Sequence, residues 1–438
     1  MSLNTESKLK KGITGPLLYL FILGDILGAG VYALVGEVAA EAGGAIWAPL
    51  LVALVLALLT ATSYAELVTK YPKAGGAAIF AERAYKKPLI SFLVGFSMLA
   101  AGVTSAAGLS IAFAGDYLSV FFEAPTIPVA LVFLALVALL NARGIKESVR
   151  ANVGMTAIEL SGLILVIAVA AMFLGGGNGD ASRLTQFPEG TTPAGAIFAG
   201  SLLAYYSFVG FEVSANVAEE VIDVPRVYPR ALFGALLTAG VVYIALGILT
   251  AIAMDPGALS GSSSPLLDVV MATGAGIPNW LFSLVALVAV ANGALLTMIM
   301  SSRLAFGMAE QGLLPSVLGR VLPNRRTPWV AIIGTTFIAM LLTVTGDLAT
   351  LAKTVVLLLL VVFTSTNIAV IVLRRDKVEH QHFRAPLVIP YLAVTSCIVL
   401  LIQQEGGIWL RALALLAFGT ILYFATRWFS GRQASRSA

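Results

Sequence analysis

Apolar stretches of about 20 residues, separated by short polar segments, recur along the whole chain. Averaged over a window of about 19 residues, they fall near 13–40, 46–69, 88–115, 126–142, 153–174 and 194–218, and again near 230–254, 279–302, 328–345, 350–373, 387–403 and 407–428. Stretches of this length cross a hydrocarbon layer of roughly 30 Å as helices. The pattern therefore predicts an all-α integral membrane protein with twelve transmembrane helices. Only the connections 175–193, 255–278 and 303–327 are long, and none has room for a soluble domain.

The distribution of charge gives these spans an orientation. With residues 1–11 on the cytoplasmic side, only Arg183, Lys353 and Arg411 of the 27 lysines and arginines fall outside. One span more or fewer would scramble that bias, so the twelve-span count and the positive-inside rule support each other. Both termini are then cytoplasmic, in the cell membrane, with 1–11 and 430–438 as hydrophilic tails. The polar start carries Lys8, Lys10 and Lys11 and leads into an apolar run longer than the roughly 7–15 residues of a signal-peptide core. The first span is expected to be retained.

Composition narrows the function classes. Of the 438 residues, 59% are hydrophobic and only 11% charged, and the mean hydropathy is +0.94, against about 25% charged residues in a soluble domain. The net charge of +4 sits in short loops, which argues against a nucleic-acid partner. Cys397 is the single cysteine, and His380 and His382 share one loop, so no disulfide, metal or cofactor centre is expected. That loop reads as solvated. No intramembrane Ser/His or His/Asp combination suggests an enzyme.

Two spans carry unusual residues at mid-membrane. The first reads Gly24-Asp25-Ile26-Leu27-Gly28-Ala29-Gly30-Val31-Tyr32, and the sixth reads Tyr205-Tyr206-Ser207-Phe208-Val209-Gly210-Phe211-Glu212. Glycine costs about 1 kcal/mol in a helix interior, and a mid-membrane acid about 2.5–3.5 kcal/mol on insertion scales. Close helix packing through small residues explains one such segment on its own. Two in corresponding places, the first and sixth spans, fit a five-plus-five inverted repeat with discontinuous helices, which points to a midplane substrate site. A channel or scaffold does not account for that pairing.

An unwound first span frees the amides of Ala29 and Gly30 at a helix N-terminus, which favours an anion, while Gly28 and Gly30 admit close approach to the main chain. Carbonyls freed at Ile26, Tyr206 and Val209 can accept from an ammonium group. Donors on one break and acceptors on both suit a zwitterion, and an α-amino acid has that shape. Gly102, Ser105 and Ala106 offer small residues on the third span, and Asn292 and Thr297 offer polar contacts on the eighth.

The segments Gly28-Ala29-Gly30-Val31-Tyr32, Tyr64-Ala65-Glu66-Leu67 with Tyr71-Pro72, Gly75-Gly76, Phe80 and Ala84-Tyr85, Phe208-Val209-Gly210-Phe211-Glu212 with Ala218-Glu219-Glu220, and Ser302-Arg303-Leu304 with Met308-Ala309 and Gly312-Leu313-Leu314-Pro315 occur in this order. In these the chain resembles the amino acid–polyamine–organocation transporters of the LeuT-type fold, near the cationic amino acid transporter-like branch. The resemblance implies secondary transport of amino acids. Gly28, Ala29 and Gly30 would hold the substrate carboxylate, and the carbonyls of Ile26, Tyr206 and Val209, near Gly210, its amine. It implies a gating role for Tyr206, with Phe208 and Phe211 as further pocket or gate aromatics. It divides the chain into repeat 1 over 12–174, repeat 2 over 193–375 and a terminal helix pair over 386–429.

Asp25, Glu159 and Glu212 are the buried-looking acids of the spans. In the cationic branch a lysine follows an asparagine by seven residues on the fifth span; here Asn152 is followed by Glu159, so the position is kept and the charge reversed. Burial disfavours the charged form of a carboxylate, which makes Glu159 the first expectation for proton coupling, Asp25 the second, and Glu212 part of a proton or gating network. Two alternatives stand beside it: hydrogen bonding of these acids to Thr297, Ser301 or Ser302, and a sodium ion held by Glu159 with those hydroxyls. At the cytoplasmic span ends Glu66, Glu219, Glu220 and Asp223 sit among Arg226, Arg230 and Arg303, as gate ion pairs or as a solvated rim. The expected function is proton-coupled uptake of a neutral amino acid by a monomer or homodimer in the bilayer, with an amine exchanger or a sodium symporter as alternatives.

Overall fold

Apolar sequence that is hydrophobic on all faces forms helices that bury one another and present their remaining side chains to lipid. The computed structural model describes residues 12–434 other than 29, 73–75, 144–145, 263, 324 and 326. Over these it is helical, with one isolated β-bridge, Ile13 to Val221. The first half contains α1 (Gly15–Leu27), α2 (Gly30–Ala42), α3 (Trp47–Lys70), α4 (Gly76–Tyr85), α5 (Pro88–Phe113), α6 (Asp116–Ser119), α7 (Thr126–Arg143) and α8 (Lys146–Gly175). The second contains α9 (Pro193–Tyr206), a 3₁₀ segment (Phe211–Glu220), α10 (Val224–Ala253), α11 (Pro256–Ser260), α12 (Pro265–Ala272), α13 (Asn279–Glu310), α14 (Trp329–Thr345) and α15 (Leu348–Leu373). The last two helices are α16 (Val388–Ile402) and α17 (Gly406–Ala434).

Helix starts follow local chemistry. Proline in the first turn of α5, α9 and α10 presets φ where no intrahelical N–H bond is lost. The side chains of Thr192 and Asp347 cap α9 and α15 by accepting from the amides of Gly195 and Thr350. Among the described residues, ten segments are long and apolar enough to cross a membrane, and α14 and α16 are shorter apolar helices of 17 and 15 residues.

Burial separates an inner from an outer ring. The apolar window of α5 is 83% buried, against 22% for α17. α5 packs on α13 and α15, α10 on α1 and α3, and α2 on α9. Large apolar side chains such as Leu139, Val241, Ile402 and Leu410 are exposed on the outer helices, as a lipid-facing surface requires.

Some connections are more ordered than their sequence implies. Short α-helices occupy three of them, with α4 between α3 and α5, α6 between α5 and α7, and α11 and α12 between α10 and α13. Helix α17 runs past Ser430 to Ala434, so the expected tail over 430–438 is helical in its first part. The expected tail over 1–11 lies outside the described residues.

Candidate substrate cavity at two helix breaks

The first and sixth apolar stretches are both interrupted. Helix α1 ends at Leu27, Gly28 leaves the helical conformation with φ −41° and ψ −170°, and α2 begins at Gly30. Helix α9 ends at Tyr206, the chain turns through Ser207, Phe208 and Val209, and Gly210 at φ +123° leads into the 3₁₀ segment. That φ lies in a region which side chains disfavour, so Gly210 is what allows this turn.

Small residues then bring the two breaks into contact. A methyl group on Gly30 would lie 2.9 Å from Ser207 Cα, and one on Gly210 would lie 2.8 Å from the Asp25 carbonyl oxygen. On the α13 side, a methyl on Gly28 would meet Gly293 Cα at 3.8 Å. Glycine at 30 and 210 is thus explained by backbone-to-backbone approach, while at 28 a methyl would meet only ordinary contacts.

A cavity of about 60 Å³ lies at this junction. The breaks contribute Asp25, Ile26, Gly28, Gly30, Tyr206, Val209, Gly210 and Glu212, and the opposite wall is largely apolar, with Met98 and Gly102 of α5, Met300 of α13, and Val355 and Leu359 of α15. Thr297 and Ser105 add hydroxyls. None of the described lining residues is basic. A larger cavity of about 1220 Å³ meets this one at Asp25, Val213 and Met300, and carries Glu82, Lys86, Glu220 and Arg303.

The polar groups of the breaks are unevenly engaged. The Ile26 carbonyl accepts from the Tyr243 hydroxyl at 2.6 Å, and the Tyr206 carbonyl accepts from the Val209 amide at 3.1 Å. Each carbonyl thus has one neighbouring donor in place of the lost helical one and keeps a second lone pair. Glu212 Oε2 accepts from the Gly210 amide at 2.9 Å, so this acid caps its own turn. Asp25 Oδ2 is buried without a hydrogen-bond partner among the described residues. The Tyr206 hydroxyl lies 2.7 Å from Ser105 Oγ, fixing the ring against α5.

The other expected residues lie elsewhere. Phe208 packs edge-on against Tyr243, with centroids 5.3 Å apart, and Phe211 packs against Tyr64 and Phe363 at 5.7 and 5.4 Å. Neither lines the cavity, because the turn and the 3₁₀ segment rotate both rings into the core. Ala29 lies outside the described residues. Ser301 donates to the Thr297 carbonyl at 2.7 Å and also lies off the cavity lining.

Glu159, on α8, also lies off the lining. Its Oε1 accepts from Asn292 Nδ2 at 2.8 Å, and the same amide group donates to Asn152 Oδ1 at 3.0 Å. Glu159 Oε2 and Asn292 Oδ1 are buried without partners among the described residues. The expected hydroxyl partners are engaged elsewhere: Thr297 donates to the Gly293 carbonyl at 3.0 Å, and Ser302 donates to the Ile299 carbonyl at 3.1 Å and accepts from Asn141 Nδ2 at 3.1 Å. The Asn152 spacing points to this place, while the bridge through Asn292 has no local signal.

Away from the cavity, Glu66 is buried and takes a two-point contact from Arg374, at 3.0 and 2.8 Å, plus the Ala385 amide at 2.9 Å. It is a structural pair and no part of a solvated rim. Asp223 reaches Arg226 at 3.8 Å in an exposed setting. In the 380–382 loop His380 Nε2 lies 3.1 Å from the Thr69 carbonyl, so this segment is docked on the end of α3. At the opposite end of the molecule Lys353 joins Glu41 at 3.2 Å and Glu405 at 2.9 Å.

Residues 17–422 match the amino acid permease family. The chain belongs to that family. The branched-chain amino acid permease BcaP of Bacillus subtilis is 26% identical, over 96% of this chain and 93% of its own length. The low-affinity putrescine importer PlaP of Escherichia coli is 30% identical, over 82% of this chain and 79% of its own. Among solved structures, a point mutant of the Eremococcus coleocola manganese transporter superposes with a TM-score of 0.59 at 14% identity, over 96% of this chain and 98% of that one, which shows the fold alone. This permease is thus a multi-pass membrane protein of the amino acid–polyamine–organocation superfamily with a LeuT-type fold.

Proposed function

We propose that this permease is a secondary active transporter that moves a neutral amino acid into the cell across the plasma membrane by alternating access, coupled to protons. The observation that carries the reading is the contact between two broken helices around one cavity, which shares lining residues with a larger one. In the proposed layout, twelve spans form repeats over 12–174 and 193–375 with a helix pair over 386–429, and both termini are cytoplasmic, which places the larger cavity on the inner side. The amide of Gly30, with Gly28 and Ala29, receives the substrate carboxylate; Tyr206 gates it, held by Ser105; and Glu159 binds the coupling proton in its contact with Asn292.

A second reading is transport of a cationic amino acid or amine. Two carboxylates, Asp25 and Glu212, line the cavity with no basic side chain among its described lining residues, and a putrescine importer is among the relatives. Uptake of labelled leucine, lysine and putrescine into proteoliposomes separates the two. An imposed pH gradient, with and without sodium, tested on wild type and Glu159→Gln, addresses coupling. Leucine accumulation driven by the pH gradient and lost in Glu159→Gln supports the reading. Accumulation unchanged in that variant removes Glu159 from the mechanism, and a requirement for sodium overturns proton coupling.

A further inference from the structure

We propose that Asp25 is the group that receives the ammonium of the substrate, so that the cavity selects for molecules carrying a charged amine. This rests on the proposed reading of the cavity as the substrate site. Three other acceptors at the junction already have a donor: Ile26 O takes the Tyr243 hydroxyl, Tyr206 O the Val209 amide, and Glu212 Oε2 the Gly210 amide. Among the carboxylate oxygens lining the cavity, Asp25 Oδ2 is the one buried with no partner among the described residues.

The carboxylate is also held at the right place. A methyl on Gly210 would come within 3.1 Å of Asp25 Cγ, so the second break is stacked directly on this carboxylate. Asp25 lines both the small cavity and the larger one, so a ligand moving between them passes it. An ionised carboxylate taken out of water is costly unless it gains an opposite charge and hydrogen bonds. Lys86 and Arg303 line only the larger cavity. In the small cavity, where no described lining side chain is basic, a ligand's primary ammonium would supply Asp25 with both charge and donors.

This assignment moves Asp25 from proton carriage to substrate contact, and the two roles differ in what its removal does. The test is counterflow of labelled leucine in proteoliposomes by wild type, Asp25→Asn and Asp25→Glu, with competition by 3-methylbutylamine, which lacks the carboxylate, and 4-methylpentanoate, which lacks the amine. Binding of the same compounds to the purified variants is followed by the shift in melting temperature. Asp25→Asn is expected to raise half-saturation for leucine at least tenfold and to weaken 3-methylbutylamine equally, while 4-methylpentanoate changes less than twofold; Asp25→Glu recovers part of the loss. Half-saturation for leucine within twofold of wild type in Asp25→Asn overturns the proposal, as does equal weakening of all three compounds, the mark of a merely structural role. Wild type that exchanges none of leucine, lysine and putrescine overturns the transport reading itself, and the role of Asp25 with it.

Discussion

The hydroxyls of Ser105 on α5 and Tyr206 at the end of α9 lie 2.7 Å apart, both buried. The bond ties the broken sixth span to the most buried helix of the bundle and sets the Tyr206 ring beside the cavity. Removing one partner strands the other, at a cost of about 1–3 kcal/mol. Ser105→Ala and Tyr206→Phe are each expected to raise half-saturation in counterflow roughly tenfold, about 1.4 kcal/mol. Because both remove one bond, the double variant is expected within twofold of the worse single one.

Gly210 carries two constraints, a φ of +123° and contact with the Asp25 backbone. Gly210→Ala meets both, with strain of about 1–3 kcal/mol. It is expected to lower the melting temperature and abolish counterflow, whereas Gly307→Ala, where an added methyl meets nothing within 4 Å, leaves both unchanged. A fully active Gly210→Ala would show that the turn is not constrained in this way.

The Asn292 amide serves both Glu159 and Asn152, so its loss strands two acceptors at once. Asn292→Ala is expected to destabilise the protein by about 1–3 kcal/mol, read as a drop in melting temperature in detergent. Glu159→Gln keeps an oxygen to accept from Asn292 and is expected to melt within a few degrees of wild type while losing pH-driven accumulation. Equal melting of Asn292→Ala and wild type would remove the bridge from the account.

The two charged clusters at opposite ends of the molecule differ in burial. Arg374→Ala leaves Glu66, with its side chain 3% exposed, as an uncompensated buried charge, an expected loss of about 3–5 kcal/mol. Lys353, itself 16% exposed, pairs with Glu41 and Glu405, whose side chains are 35% and 68% exposed, so both acids stay within reach of water and Lys353→Ala is expected to cost less, about 1 kcal/mol. Melting temperatures of the two variants check the order, and a larger drop for Lys353→Ala would reverse it.

What the sequence reveals and what it conceals divide along a physical line. The breaks are legible because glycine and carboxylate at mid-membrane are costly in a continuous helix, and Gly28, Gly30, Gly210 and Glu212 stand out against apolar neighbours. Contacts between spans are not legible: nothing in the local sequence says that Tyr243 takes the Ile26 carbonyl, that Asn292 bridges to Glu159, or that Met98, Met300, Val355 and Leu359 face one cavity, since each is one apolar or polar residue in a helix hydrophobic all round. Phe208 and Phe211 fall away from their expected place because their directions depend on a turn and a 3₁₀ segment, whose side chains do not follow the 3.6-residue period.

The central claim is that the cavity where α1, α2 and α9 are interrupted serves transport of an amino acid, and trans-stimulation tests it most directly. Purified protein in proteoliposomes, given labelled leucine outside, is compared with and without unlabelled leucine inside. The account predicts transient accumulation above equilibrium only when the inner leucine is present. No stimulation with leucine, lysine or putrescine, by protein that melts cooperatively in the same preparation, would contradict it.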